Sequence, residues 1–142
     1  MTVPARVGLA TLGVSDVVRA TEFYESLGWR LSPASVPGVV SYFHTGGGLL
    51  SLLAAEDLAA DPAFPAFTGA RGVMLTIPVG SDAEVDDALR TAVQAGAALA
   101  QAGKRAGHGG YLGYFTDPDG HLWQVTHHPA WPLDPSGVPR LP

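Results

Sequence analysis

The chain spells out one order of elements twice, and a duplicated strand-helix-strand-strand-strand unit admits few folds. In the first copy, residues 6–14 (Arg-Val-Gly-Leu-Ala-Thr-Leu-Gly-Val) read as a mostly buried strand. Ser15 or Asp16 then offers an N-cap oxygen. Val17, Val18, Ala20, Phe23, Tyr24 and Leu27 recur at spacings of three and four, which places them on one helical face. Gly28 is suited to end that helix. Trp29–Leu31, Val39–Phe43 and Leu49–Leu53 read as three strands, separated by Pro33, Pro37-Gly38 and Gly46-Gly47-Gly48. In the second copy Val73–Val79 is a strand, and Ser81 and Asp82 cap a helix carrying Val85, Ala88, Leu89, Ala92 and Val93. Gly96 closes it, and Ala97–Ala100, Tyr111–Thr116 and Leu122–Thr126 follow as strands, with turns at Gly107–Gly110 and Asp117–Gly120. Tyr42–Leu50 aligns without gaps on Tyr114–Leu122, which supports an internal duplication. The expectation is one α+β domain over residues 1–142, built of two βαβββ modules at 5–54 and 71–128. A linker at 55–70, with Phe64 and Phe67, joins them. An irregular tail at 129–142 is expected to be anchored by Trp131 and Leu133.

Composition narrows the function. The chain has 142 residues, 46% hydrophobic and only 15% charged, which excludes a disordered chain. Eight Lys+Arg against 13 Asp+Glu leave no basic footprint for nucleic acid or an anionic membrane surface. Cysteine is absent, so disulfides, thiolate nucleophiles, zinc ribbons and iron–sulfur clusters are excluded. With 18 Gly and 12 Pro the chain favours many turns and short elements over a helical bundle. The longest nearly apolar stretch, Leu49–Ala55, is too short to span a bilayer, and Met1-Thr2-Val3-Pro4 does not read as a secretory signal. A soluble cytoplasmic protein is expected.

Two strings carry a family resemblance. Leu12-Gly-Val-Ser-Asp16, with Ala20, Phe23-Tyr24 and Leu27-Gly28-Trp29, resembles the opening module of the vicinal oxygen chelate superfamily. That superfamily includes glyoxalase I, extradiol dioxygenases, fosfomycin-resistance proteins and bleomycin-resistance binding proteins. Gly113-Tyr-Phe-Thr-Asp-Pro-Asp-Gly-His-Leu-Trp123 is similar to the end of its second module, and the match covers about residues 5–128. The tail His127-His128-Pro129-Ala130-Trp131-Pro132-Leu133 is similar to glyoxalase/bleomycin-resistance-like proteins. The resemblance implies modules whose mixed sheet curls around a pocket, and it implies homodimerisation.

The resemblance also implies where a metal would sit. Metal-dependent members place His, Glu or Gln on the first and the last strand of each module. Carried onto this chain, those positions are Leu9, then Leu52 (or Ser51 with a one-residue shift), then Val73 (or Met74 with a shift), then Gln124. Hydrocarbon side chains donate no lone pair, and one neutral amide oxygen does not hold a cation with useful affinity. No metal and no cofactor is therefore expected. The five histidines suggest no substitute. His127 and His128 are neighbours and point to opposite faces in an extended segment. His121 belongs to the Asp117-Pro118-Asp119-Gly120-His121 turn and is expected at the surface. His44 at a strand end and His108 in a glycine-rich loop are the two candidates for a pocket rim. Glu22 and Glu25 fit a solvated helix face, Asp117 and Asp119 fit a turn, and Asp57 and Asp61 fit a linker. No Gly-x-Gly-x-x-Gly, phosphate loop or Gly-x-Ser-x-Gly elbow is present.

What remains is an apolar and aromatic pocket with few polar groups, a common description of a small-molecule site. The expected lining is Leu9, Tyr42, His44, Leu52, Val73, Tyr111, Tyr114, Leu122 and Gln124, with Gln124 buried as the main polar group. Trp29 and Trp123 are further aromatic candidates. The expected function is a metal-free binding protein for an apolar or aromatic small molecule, with no catalytic residue assigned. The alternative is a glyoxalase-like lyase or dioxygenase-type enzyme with an unusual metal site, or with His44, His108 or a tyrosine as acid or base.

Overall fold

Both long helices begin where a short polar side chain accepts the first unpaired N–H groups. The computed structural model describes residues 2–60, 62, 72–107 and 109–141. In it α1 spans Val17–Ser26, a short α2 spans Ala55–Ala59 and α3 spans Asp82–Ala95. The Asp16 carboxylate accepts the Arg19 N–H at the start of α1. Ser81 accepts the Glu84 N–H at the start of α3, and the Glu84 carboxylate in turn accepts from Gly80. Gly96 ends α3 at φ 116°, a left-handed conformation in which a side chain would clash with the backbone.

The chain divides into two compact units, Met1–Pro65 and Ala66–Pro142. In the first, β1 (Leu9–Val14), β2 (Val40–Thr45) and β3 (Gly48–Ala54) form a sheet ordered β1-β3-β2. β1 runs parallel to β3, and β2 antiparallel to it. In the second, β4 (Leu75–Pro78), β5 (Ala98–Arg105), β6 (Tyr111–Thr116) and β7 (Leu122–His127) form a sheet ordered β4-β7-β6-β5. β4 is parallel to β7, and the remaining pairs are antiparallel. Each unit thus pairs its opening strand with its closing strand in parallel, and the class is α+β with two mixed sheets.

Two local expectations need correction. Trp29–Leu31 forms no strand, and only Leu31 makes a single bridge, to Phe43. The Trp29 N–H is committed to the Tyr24 carbonyl at the end of α1, so this stretch serves as a helix terminus. The Trp29 ring lies 5.4 Å from that of Tyr24. β5 extends well past Ala100, through two irregularities between Leu99 and Lys104 that interrupt any alternating pattern. The segment expected as linker contributes α2, while Phe64 and Phe67 lie outside the described residues.

One face of each sheet is buried under a helix. In the first unit Val17, Ala20, Phe23 and Tyr24 of α1 pack with Val14, Phe43, Leu50 and Leu52, all buried. Tyr24 anchors this core, edge-on to Phe23 at 4.9 Å and tilted against Phe43 at 5.9 Å. Buried Ser41 is satisfied by the Thr21 hydroxyl at 2.6 Å. In the second unit Val85, Leu89 and Ala92 of α3 share a core with Phe115, Trp123 and Val125, where the Phe115 and Trp123 rings stack. Past β7 the tail folds on itself. Leu133 bridges Pro139, and the Asp134 carboxylate accepts from Ser136 and Val138. Trp131 stacks on the His128 ring at 4.4 Å and stays 41% exposed.

The α3–sheet contact tolerates no bulk at Gly113. A Cβ there would lie 2.5 Å from Leu89 Cδ1 and 2.7 Å from the Gln101 carbonyl oxygen. The Leu89 methyl can turn aside, but the backbone oxygen cannot without moving β5. Gly113→Ala is expected to destabilise the fold by about 1–3 kcal/mol, read as a lowered midpoint in urea unfolding. An unchanged midpoint would mean that β5 yields freely.

Candidate functional site

Strand pairing decides which side chains share a face. In the first unit Phe43 lies opposite Leu50 and Ser41 opposite Leu52, and these positions meet α1. Alternation therefore sends Leu9, Thr11, Leu49, Ser51, Tyr42 and His44 to the face away from α1, whose Gly13 end meets Leu58 of α2. Thr11 stands opposite Ser51, and their hydroxyls are 2.6 Å apart. Leu9, Tyr42 and His44 lie on this face, with Leu9 and His44 exposed. Leu52 does not. It is fully buried on the α1 face, and Ser51 takes the corresponding place on the side away from α1.

In the second unit the Tyr111 hydroxyl donates to Asp86 of α3 at 2.9 Å, and Gly113 abuts Leu89. Tyr111, Gly113 and Phe115, with their partners His127, Val125 and Trp123, thus form the α3 face. Leu112, Tyr114, Leu122, Gln124 and Thr126 fall on the other, and Thr76 joins them as the partner of Gln124. On this face three side chains are linked in a row. The Thr76 hydroxyl donates to Gln124 Oε1 at 3.2 Å, and Gln124 Nε2 donates to the Tyr114 hydroxyl at 3.1 Å. Gln124 is half-buried rather than buried, and its amide is satisfied within the protein. Tyr111 is corrected to the helix side, because it lies three positions from Tyr114 and a strand reverses sides at odd spacings. Val73 precedes β4 and is 74% exposed; continuing the alternation of Thr76 assigns Met74, not Val73, to the Gln124 side. His108 lies outside the described residues.

The α3 side holds charges that the sequence reading did not bring together. Asp82, the first residue of α3, accepts from His127 Nδ1 at 2.8 Å and pairs with Arg105. The Arg105 guanidinium also sits 5.2 Å from the Tyr111 ring centroid and donates to the Gly109 carbonyl. These contacts tie the ends of β5, β6 and β7 to the start of α3. Only the β6–β7 register, which sets His127 beside Tyr111, could have exposed the cluster. An open groove of about 450 Å³ runs between α3 and β5, lined by Leu89, Val93, Leu99 and Ala102 among others, away from the Gln124 row. Asp117 is buried as a turn residue, accepting from the N–H groups of Asp119 and His121. His121, expected at the surface, is instead held by Asp117 Oδ2 at 2.8 Å with 28% of its side chain exposed.

A helix-covered mixed sheet with its opening and closing strands in parallel occurs twice, as a three-stranded βαββ unit and a four-stranded βαβββ unit, and defines a tandem α+β protein. The chain belongs to the Glyoxalase/Bleomycin resistance protein/Dioxygenase superfamily, whose model matches residues 6–125. Among solved structures it is similar to a glyoxalase-related enzyme from Fulvimarina pelagi at 27% identity and a TM-score of 0.86, with 97% of this chain and 99% of that one covered. It also shares its fold with a lactoylglutathione lyase from Agrobacterium tumefaciens at 21% identity and a TM-score of 0.67, over 87% and 94% of the chains. TioX from Micromonospora sp. ML1 matches at 24% identity and a TM-score of 0.63, over 85% and 97%. No curated protein matches the chain in sequence. No described helix is long and apolar enough to cross a membrane.

The residues present do not fit the metal that the family implies. The face assignments select Leu9 and Ser51 in the first unit and Met74 and Gln124 in the second. A hydroxyl in the first unit, and a thioether and an amide in the second, are each poor donors for a divalent cation, and the amide oxygen already accepts from Thr76. Among the described residues no three His, Asp or Glu side chains converge as a metal site.

The Asp82 cluster generates a pH dependence. Hydrogen bonds from His127 and then Arg105 hold the Asp82 carboxyl below its ordinary value. A lowered value means that the stabilisation is present above the ordinary carboxylate pKa and is lost as pH falls through the lowered one. Asp82→Asn is expected to lower the melting temperature at neutral pH and to narrow its gap from wild type on acidification. Parallel melting curves across that range would remove Asp82 from the acid response.

Proposed function

We propose that this protein is a metal-free small-molecule-binding member of its superfamily that takes up an apolar or aromatic compound. The observation that carries the reading is the state of Gln124. It is the one residue at a family ligand position with an amide or carboxylate oxygen, and its amide is held between Thr76 and Tyr114. Such a group orients a ligand by hydrogen bonding. Apolar and aromatic side chains at Leu9 and Tyr42 in one unit, and at Leu122 and Tyr114 in the other, supply surface for stacking and burial. Family resemblance supports action as a cytoplasmic homodimer. A lyase or dioxygenase-type activity is the second reading, and it needs a cation for which the four positions offer poor donors.

The test is a screen of small aromatic compounds by thermal shift, with and without added divalent cations, beside elemental analysis of the purified protein. A binder present at a hundredfold excess over its Kd stabilises the folded state by about 2.7 kcal/mol. The expected result is stabilisation by at least one compound, unaffected by cations or chelator, and no stoichiometric metal. Gln124→Leu is expected to keep the fold and reorder ligand preference. One equivalent of tightly held metal, lost together with stability in Gln124→Leu, would put the enzyme reading first.

A further inference from the structure

The direction of the hydrogen bonds on the β4-β7-β6 face points to a more specific recognition device. Thr76 donates to Gln124, and Gln124 donates to the oxygen of Tyr114. A phenol carries one proton, and here its oxygen is occupied as an acceptor. Its proton is therefore directed elsewhere, and among the described residues no hydrogen-bond acceptor for it is found. Hydrogen bonds in series polarise one another, so a donor at the end of a chain is stronger than an isolated one. Leu112 and Leu122 share the face with Tyr114 and Gln124, together with the uncharged polar residues Gln101, Thr116 and Thr126, so the donor is flanked by apolar and neutral polar side chains alone. None of the three linked side chains carries a formal charge, which matches a neutral acceptor.

We propose that the Tyr114 hydroxyl is the donor of a binding subsite for a neutral carbonyl oxygen carried on an apolar, aromatic molecule, with Thr76 and Gln124 as the residues that position it. This rests on the small-molecule reading above and adds the functional group that the ligand must carry. Thr76 acts through Gln124. Without its hydroxyl, Gln124 Oε1 loses its donor from β4, and the carboxamide is no longer held in place against Tyr114.

The experiment compares probes of matched shape that differ at the carbonyl: acetophenone with ethylbenzene, and indanone with indane. Dissociation constants are measured for wild type, Tyr114→Phe, Thr76→Val and Thr76→Ser, each first shown to melt cooperatively. The readout is the ketone-to-hydrocarbon affinity ratio, which cancels the effect of burial. In Tyr114→Phe the ratio is expected to fall by roughly two- to tenfold, the scale of one net hydrogen bond, with hydrocarbon affinity nearly unchanged. Thr76→Val is expected to lower it partway and Thr76→Ser to restore it. The infrared carbonyl stretch of bound acetophenone should lie lower in wild type than in Tyr114→Phe, a shift that a purely structural role would not produce. If ketone and hydrocarbon bind alike in wild type, or if the ratio survives in Tyr114→Phe, the subsite is wrong while the binding reading stands. If no probe of either kind binds, the small-molecule reading fails and takes the subsite with it.

Discussion

The parallel pairing of each unit's first strand with its last is the constraint on which everything else depends. Two parallel strands cannot be joined by a tight turn, so the chain must cross over, and a helix makes the crossing. The crossover helix then covers one face of its sheet and leaves the opposite face to other contacts. Pairing also sets register. It brings Thr11 opposite Ser51 and Thr76 opposite Gln124, and so places hydroxyl-bearing residues of the first strand against the polar residue of the last in both units. The Thr76-Gln124-Tyr114 row is a product of β4 meeting β7 in this register and β6 meeting β7 in the next.

The helices were legible because their signals are local. A cap, a three-and-four spacing and a closing glycine lie within one stretch of chain, and Asp16, Ser81 and Gly96 do what their chemistry suggests. The strands were legible as apolar runs but less so at their ends. Trp29–Leu31 has strand composition, yet its first N–H is claimed by the end of α1. β5 continues through Gln101-Ala102-Gly103, a stretch without alternation, because β6 supplies partners that the β5 sequence alone does not announce.

The site was legible in its residue types and less so in its phase. Leu49-Leu50-Ser51-Leu52-Leu53 is apolar at nearly every position, so nothing in it says which side chains face the helix; pairing with Thr11 and Tyr42 does. Leu52 and Ser51, the two places the resemblance allows, differ by one residue, and on a strand one residue is the opposite face. Tyr111 and Tyr114 look alike as strand aromatics, yet one serves α3 through Asp86 and the other serves Gln124. Gln124 stood out because it is the polar exception at a position where the family resemblance implies a ligand. Its partner Thr76 was hidden, since only the β4–β7 register brings the two together across 48 residues.

That register also separates two kinds of polar chemistry in the second unit. Asp82, Arg105 and His127 satisfy one another on the α3 side, and Asp86 accepts from Tyr111 there, so that strand ends are bound to a helix start. Thr76, Gln124 and Tyr114 are uncharged in form and lie on the side that no helix of their own unit covers. Ionised groups in water are costly to strip of hydration, whereas neutral hydroxyls and amides exchange water for a ligand at far smaller cost. A sheet that keeps its ions behind it, and turns a directed row of neutral hydrogen bonds outward, is suited to a neutral polar atom on an otherwise apolar molecule. The same sheet is poorly suited to a cation, because the carboxylates of that cluster face the wrong way and Met74 and Gln124 bring no charge.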